Sequence, residues 1–360
     1  MMPTITLRRN TIPAVLLVLL LFTIFFYRDT LFNRPRFDLP YQTPIQQEQP
    51  SQEQKAPVGF NWANVKPRYP VTGGYIPLPS APVQALPKIQ HTPVKQTGEP
   101  ARIRQERLQA VKAEFVHAWS GYKKHAWLQD EVAPLSGGYN NPFGGWAASL
   151  VDALGEDRII EQRSPANDAI DTLWIMDIKD EFEEALSSLN KIDFTTCSLE
   201  ELNVFETTIR YLGGFLAAYD LSGGKYPSLL AKAKELGEML YVAFDTPNRM
   251  PITRWHFRNA MAGKPQIAPD KVLVAEIGSL TLEFTRLSQL TGDPKYFDAV
   301  QRIMNLFEEQ QEKTKLPGLW PVVVNARDMD LTAGIHFTLG GMADSAFEYL
   351  PKVWTARHCI

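Results

Sequence analysis

Cysteine is nearly absent: Cys197 and Cys359 are the only two in 360 residues. Two thiols with no second Cys or His at zinc-ligand spacing define no disulfide framework and argue against a metal–thiolate site. Charge of one sign is lacking as well. A net charge of −3 supplies no basic field, so a nucleic-acid partner has no electrostatic support. Strand patterns are scarce beyond residue 100, where only 319–325 reads as strand. A strict internal repeat is also missing, so any repeat has to be structural.

The N-terminus supplies the one long apolar run. Arg8 and Arg9 precede an uninterrupted stretch from Ile12 to Tyr27, which Arg28 and Asp29 close. At about 1.5 Å per helical residue this run approaches the ~30 Å hydrocarbon core of a bilayer. A cleaved signal peptide and an uncleaved signal anchor compete. The small-x-small cleavage pattern is absent and Phe25, Phe26 and Tyr27 occupy its place, which favours the anchor. Positive charge on its N-terminal side predicts a cytosolic tail (1–10), a span contacting membrane lipid (11–28) and a lumenal remainder. Residues 29–100, rich in Pro and Gln, read as an extended, poorly ordered stem; a large irregular loop is the alternative.

From Ala101 onward apolar residues recur at three-to-four spacing, the helical period. Amphipathic segments are expected at about 102–119, 180–189, 199–219, 226–244, 273–290 and 295–314. Thr291-Gly-Asp-Pro294 reads as a stop–start signal, Gly closing one helix and Pro opening the next. The fold class is therefore all-α, a stack of helical hairpins.

Three constellations carry chemistry. In 205–216, Glu206 and Arg210 are four apart and share a helical face. Such a pair is usually a surface ion pair. Apolar Phe205, Ile209 and Leu212 around it, with Gly213 and Gly214 following, suit a carboxylic acid tuned as proton donor beside a guanidinium. In 339–351, Asp344 and Glu348 share a face beside Phe347, Tyr349 and Leu350. Like charges at that spacing destabilise an isolated helix, and carboxylates beside aromatic rings suit a polyhydroxyl ligand. Asp152 and Asp171 each interrupt an apolar helical pattern. Asp171 before Thr-Leu-Trp also passes for an N-cap, and both readings stand.

Read together, 151–154, 171–176, 205–214, 275–284, 287–296 and 339–350 resemble, in order, the class I α-1,2-mannosidases, glycoside hydrolase family 47. The resemblance covers roughly residues 107 to 352. It implies an (α/α)7 barrel that removes terminal α-1,2-linked mannose from high-mannose N-glycans on glycoproteins, with inversion and a bound Ca²⁺. Glu206 would be the general acid and Arg210 would orient it. Asp344 would lie on the side of the attacking water, with Glu348 holding sugar hydroxyls. Asp171 or Asp152, Glu276 and Arg254 would contact sugar. The short anchor, Pro-rich stem and following domain match the family's layout, and imply a monomer on the lumenal side of the endoplasmic reticulum or Golgi membrane. A non-catalytic mannose-binding or quality-control relative of the same family is the alternative.

Two departures follow from the same comparison. Residues 155–170 separate two motifs that the family joins directly, and they read either as a retained intron or as a polar loop. The chain closes soon after the Asp344 motif, with 101–354 as the N-terminal part of the catalytic domain and 355–360 as an off-family tail. The expectation is an incomplete barrel with weak or absent hydrolysis, the calcium-ligating Thr lying beyond Ile360.

Overall fold

The computed structural model describes residues 59–80, 94–154 and 172–358. The expected membrane anchor 11–28, the first part of the stem, the 155–170 segment, Asp171 and Cys359 lie outside the described residues. Among the described residues no helix is long and apolar enough to cross a membrane. All of them fall within one compact unit, Gln52–Ile360.

The described chain is mostly helical. Helix α1 (Glu99–His125) starts with Pro100 in its first turn, where a missing N–H is harmless, and its last turn carries Lys123, Lys124 and His125. A short hairpin, β1 (Glu131–Ala133) and β2 (Gly138–Asn140), leads to α2 (Ala148–Leu154), α3 (Thr172–Ile175) and α4 (Lys179–Ser188). A two-residue strand, β3 (Leu202–Asn203), then opens α5 (Val204–Thr207), which passes through a π turn, Thr208–Leu212, into α6 (Gly213–Leu221). Helix α7 (Pro227–Val242) packs on α6, and α6 packs on α2. There Gly213 and Gly214 are buried.

The second half follows the same plan. After β4 (Arg254–Trp255) and α8 (Phe257–Met261), strand β5 (Val272–Leu273) opens α9 (Val274–Gly278). Helices α10 (Thr281–Thr291) and α11 (Pro294–Gln310) form a tight hairpin, followed by β6 (Val323–Val324) and α12 (Asp344–His358). The stop–start signal works as expected. Gly292 takes the left-handed conformation at φ 71°, Asp293 caps the next helix by accepting from the Lys295 amide at 3.1 Å, and Pro294 opens it. The helix expected at 273–290 is broken at Ser279–Leu280 into α9 and α10, and the strand expected at 319–325 contracts to β6.

A structural repeat is present that the sequence conceals. Strand β3 pairs with β4 and Val204 N–H donates to Thr253 C=O at 3.0 Å; β5 pairs with β6 and Val274 N–H donates to Val322 C=O at 2.9 Å. In both copies the two-residue strand feeds a helix whose third residue is glutamate, Glu206 in one and Glu276 in the other. Backbone pairing sets this register, so the two copies need share no side-chain pattern.

Helix α12 packs on α9 and α10. Gly278 permits that approach, because a Cβ there would lie 2.8 Å from the Ala346 Cβ and 3.3 Å from its Cα. Gly278→Ala is expected to destabilise by about 2 kcal/mol, since backbone must move. At Gly237 the obstruction is only the tip of the Leu287 side chain, which can rotate. Thermal unfolding of Gly237→Ala and Gly278→Ala side by side checks this; equal losses would contradict it.

Residues 59–80 differ from the expected free stem. They are extended, as their composition dictates, but they lie against the helical unit. Asp245 accepts from the Arg68 and Tyr69 amides, each at 2.8 Å, and Asp298 accepts from the Ile76 amide at 2.9 Å. Proline-rich chain cannot build its own ladder, yet buried carboxylates bind its free N–H groups well.

Candidate functional site

The site grows from the start of α5. Asn203 caps this helix, its side-chain oxygen accepting from the Glu206 amide at 3.2 Å. A glutamate three residues past such a cap commonly reaches back to it. Here the Glu206 carboxylate turns forward instead, and Arg210 Nε donates to its Oε2 at 2.8 Å. Arg210 lies within the π turn, a distortion often found at functional sites. Its Nη1 also donates to Asp152 Oδ2 at 3.3 Å, and its guanidinium lies over the Phe143 ring, 4.4 Å from the centroid. Burial pulls the Arg210 pKa down, but the charges of Glu206 and Asp152 outweigh it and the net shift is upward. Arg210 is thus a fixed cation gripped by two carboxylates and a ring.

Beside this cluster stands a second pair. The register of β3 on β4 sets Arg254 opposite Asn203, and Arg254 is bonded to Glu276, which is only 5% exposed. Desolvation dominates at Arg254 and lowers its pKa despite the Glu276 charge. The third element is the start of α12. The Ala275 amide donates to Met342 C=O at 3.2 Å, so the turn that carries Glu276 is tied to the chain two residues before Asp344. Ile209, on the turn between Glu206 and Arg210, packs against Leu282, Tyr349 and Val353. The structure therefore brings Glu206, Arg210 and Asp152 into direct contact and Arg254 with Glu276. It joins the N-terminal ends of α9 and α12 by a backbone bond. Asp344 is exposed, and Glu348, at 60% side-chain exposure, pairs with Lys352 at 3.0 Å.

Two residues escaped the sequence reading. Phe143 is the ring beneath Arg210. Asp130, fully buried, accepts from the Phe143 and Gly145 amides at 2.8 and 2.9 Å, from the Ala148 amide at 3.3 Å and from the Tyr211 hydroxyl at 2.9 Å. It fixes both the loop that delivers Phe143 and α2, and the residue next to Arg210. No periodicity marks it, because its partners are backbone amides of a loop. Cys197 is buried, its thiol pushed up to about 11 chiefly by desolvation, so it is an inert packing residue.

Residues 114–358 match the profile of Glycosyl hydrolase family 47. This chain belongs to that family. The family 47 match runs to residue 358, into the tail set apart above as 355–360. The human endoplasmic reticulum mannosyl-oligosaccharide 1,2-alpha-mannosidase is 34% identical over 87% of this chain and 41% of that protein. The Arabidopsis thaliana mannosyl-oligosaccharide 1,2-alpha-mannosidase MNS1 is 37% identical over 70% of this chain and 41% of that protein. Among solved structures, an alpha-1,2-mannosidase from Trichoderma reesei superposes with a TM-score of 0.55 at 32% identity, covering 71% of this chain and 52% of that one. The chain thus spans about two fifths of the length of the first two relatives.

Family 47 membership is compatible with calcium. Among the described residues, however, no group of three or more His, Cys, Asp and Glu side chains is arranged to hold a metal ion. No step below runs through a metal ion.

Proposed function

We propose that this family 47 chain contributes to hydrolysis of terminal α-1,2-linked mannose in high-mannose N-glycans, with inversion. The observation that carries the reading is the Glu206–Arg210–Asp152 cluster on Phe143. Arg210 occupies Glu206 Oε2, so Oε1 is the oxygen left to take up a proton and deliver it to the leaving oxygen, directly or through one water. With its other edge on Asp152, Arg210 cannot swing away from Glu206 and orients the acid.

Asp344 is assigned to the attacking-water side. Inverting hydrolysis holds acid and base roughly 6.5–9.5 Å apart to admit that water; the bond from Ala275 to Met342 sets the start of α12 beside the Glu276 helix, and that helix in turn contacts the Glu206 helix α5. Glu276, Arg254 and Asp152 are assigned to sugar hydroxyls, as are Glu348 and Asp171, the last outside the described residues. The same reading includes the incomplete (α/α)7 barrel, residues 101–354 as the N-terminal part of the catalytic domain, the 11–28 anchor and the remaining 29–100 stem. It also includes a monomeric state and a lumenal location. The words "endoplasmic reticulum" in the human relative's name support that compartment.

The test is release of free mannose from an α-1,2-mannose-capped oligosaccharide by the full chain. Weak release, above the no-enzyme control, is expected from this part of the catalytic domain. Glycan binding without any release would favour the non-catalytic mannose-binding alternative.

A further inference from the structure

The extended segment 59–80 reaches the candidate site from behind. Trp62, only 3% exposed, sits in a short 3₁₀ turn capped by Asn61, and its Nε1 donates to Phe194 C=O at 3.0 Å. Its ring lies 5.8 Å from that of Trp255 and 6.3 Å from that of Phe257, with Phe60 edge-on at 4.9 Å. Trp255 is the residue after Arg254 in β4, and β4 pairs with the strand that ends in Asn203, the cap of the Glu206 helix. Two-residue strands are too short to hold themselves. The register that places Arg254 opposite Asn203 therefore needs a packed backing, and Trp62 is part of it.

We infer that Trp62 is a positioning residue for the site: the segment before the helical domain locks the β3–β4 ladder, and through it Glu206 and Arg254. The rest of the segment explains why the lock holds. Asp245 grips the Arg68 and Tyr69 amides, Arg249 Nη1 donates to Tyr69 C=O at 3.2 Å, and Asp298 grips the Ile76 amide. These contacts read main chain, so they fix the path of the segment and leave ring packing at Trp62 as the specific element. Arg249 itself sits in a local turn, its amide donating to Thr246 C=O at 3.1 Å with a left-handed φ of 63°.

The inference rests on the glycan reading only for its binding arm. In the first arm, hydrogen–deuterium exchange is followed in the full chain, in Trp62→Ala and in Trp62→Phe. The Val204 amide, bonded to Thr253 C=O, is expected to exchange about tenfold faster in Trp62→Ala. The Phe297 amide on α11, bonded to Ser288 Oγ, should keep its rate, and Trp62→Phe should restore Val204. Where the alanine variant unfolds as a whole, Trp62→Leu, which keeps an apolar side chain but no ring face, carries the same expectation. Val204 exchange unchanged in the folded variant, or accelerated equally with Phe297, overturns the inference.

In the second arm, affinity for an α-1,2-mannose-capped oligosaccharide is expected to fall about tenfold in Trp62→Ala and to return in Trp62→Phe. Unchanged affinity alongside faster Val204 exchange would sever the segment from the site. If the unmodified chain binds no such glycan, the functional reading fails instead, and the exchange arm still decides whether Trp62 backs the ladder.

Discussion

Glu206→Gln is expected to reduce mannose release by about 10³-fold with little loss of stability. Glutamine keeps the shape, and its carbonyl oxygen can still accept from Arg210 Nε. What it cannot do is surrender a proton to a leaving oxygen. The structural penalty is small because the pair is partly open to water, at 27% and 33% side-chain exposure, where an ion pair contributes less than about 1 kcal/mol. Kinetics and thermal unfolding of the same preparation separate the two effects. Release that continues at the parental rate in Glu206→Gln would remove the residue from the acid role.

Asp130→Ala should produce the largest stability change, a loss of about 4 kcal/mol. It strands three backbone N–H groups, each orphaned donor costing about 1–3 kcal/mol, while the Tyr211 hydroxyl still has the Phe143 carbonyl at 3.3 Å. Denaturant titration reads the loss as a lower midpoint at constant slope. A change below about 1 kcal/mol would mean that the loop repairs its own hydrogen bonds. The same carboxylate has a consequence at high pH. Burial first, and then the Asp130 charge, hold the Tyr122 and Tyr211 phenols above their usual range. A raised phenol favours the folded state while it stays protonated. The contribution is therefore complete below the ordinary tyrosine value of about 10 and is lost as pH climbs beyond it.

The division between legible and hidden features has a physical pattern. Local signals survived translation into structure. Thr291-Gly-Asp-Pro294 became a left-handed cap followed by a capped, proline-led helix, because each of its residues acts on its own backbone. The pairing of Glu206 with Arg210 was likewise readable, being a contact across one helical turn. The π turn that holds Arg210 was not, since an extra residue per turn leaves no mark on the spacing of apolar residues. Residues 59–80 misled for a related reason. Their composition reports an inability to fold alone, and it cannot report that Asp245 and Asp298 wait 177 and 222 residues away.

The sequence alone determined the helical class, the family, the acid–guanidinium pair and the punctuation between helices, all of which depend on near neighbours or on motif order. Only the tertiary structure decided that Asp152 and Phe143 flank Arg210, that Arg254 meets Glu276, that Asp130 knots the loop beneath them and that Trp62 backs the ladder. Those contacts join residues far apart in the chain. Their energies are set by burial and by backbone groups whose positions no local pattern encodes.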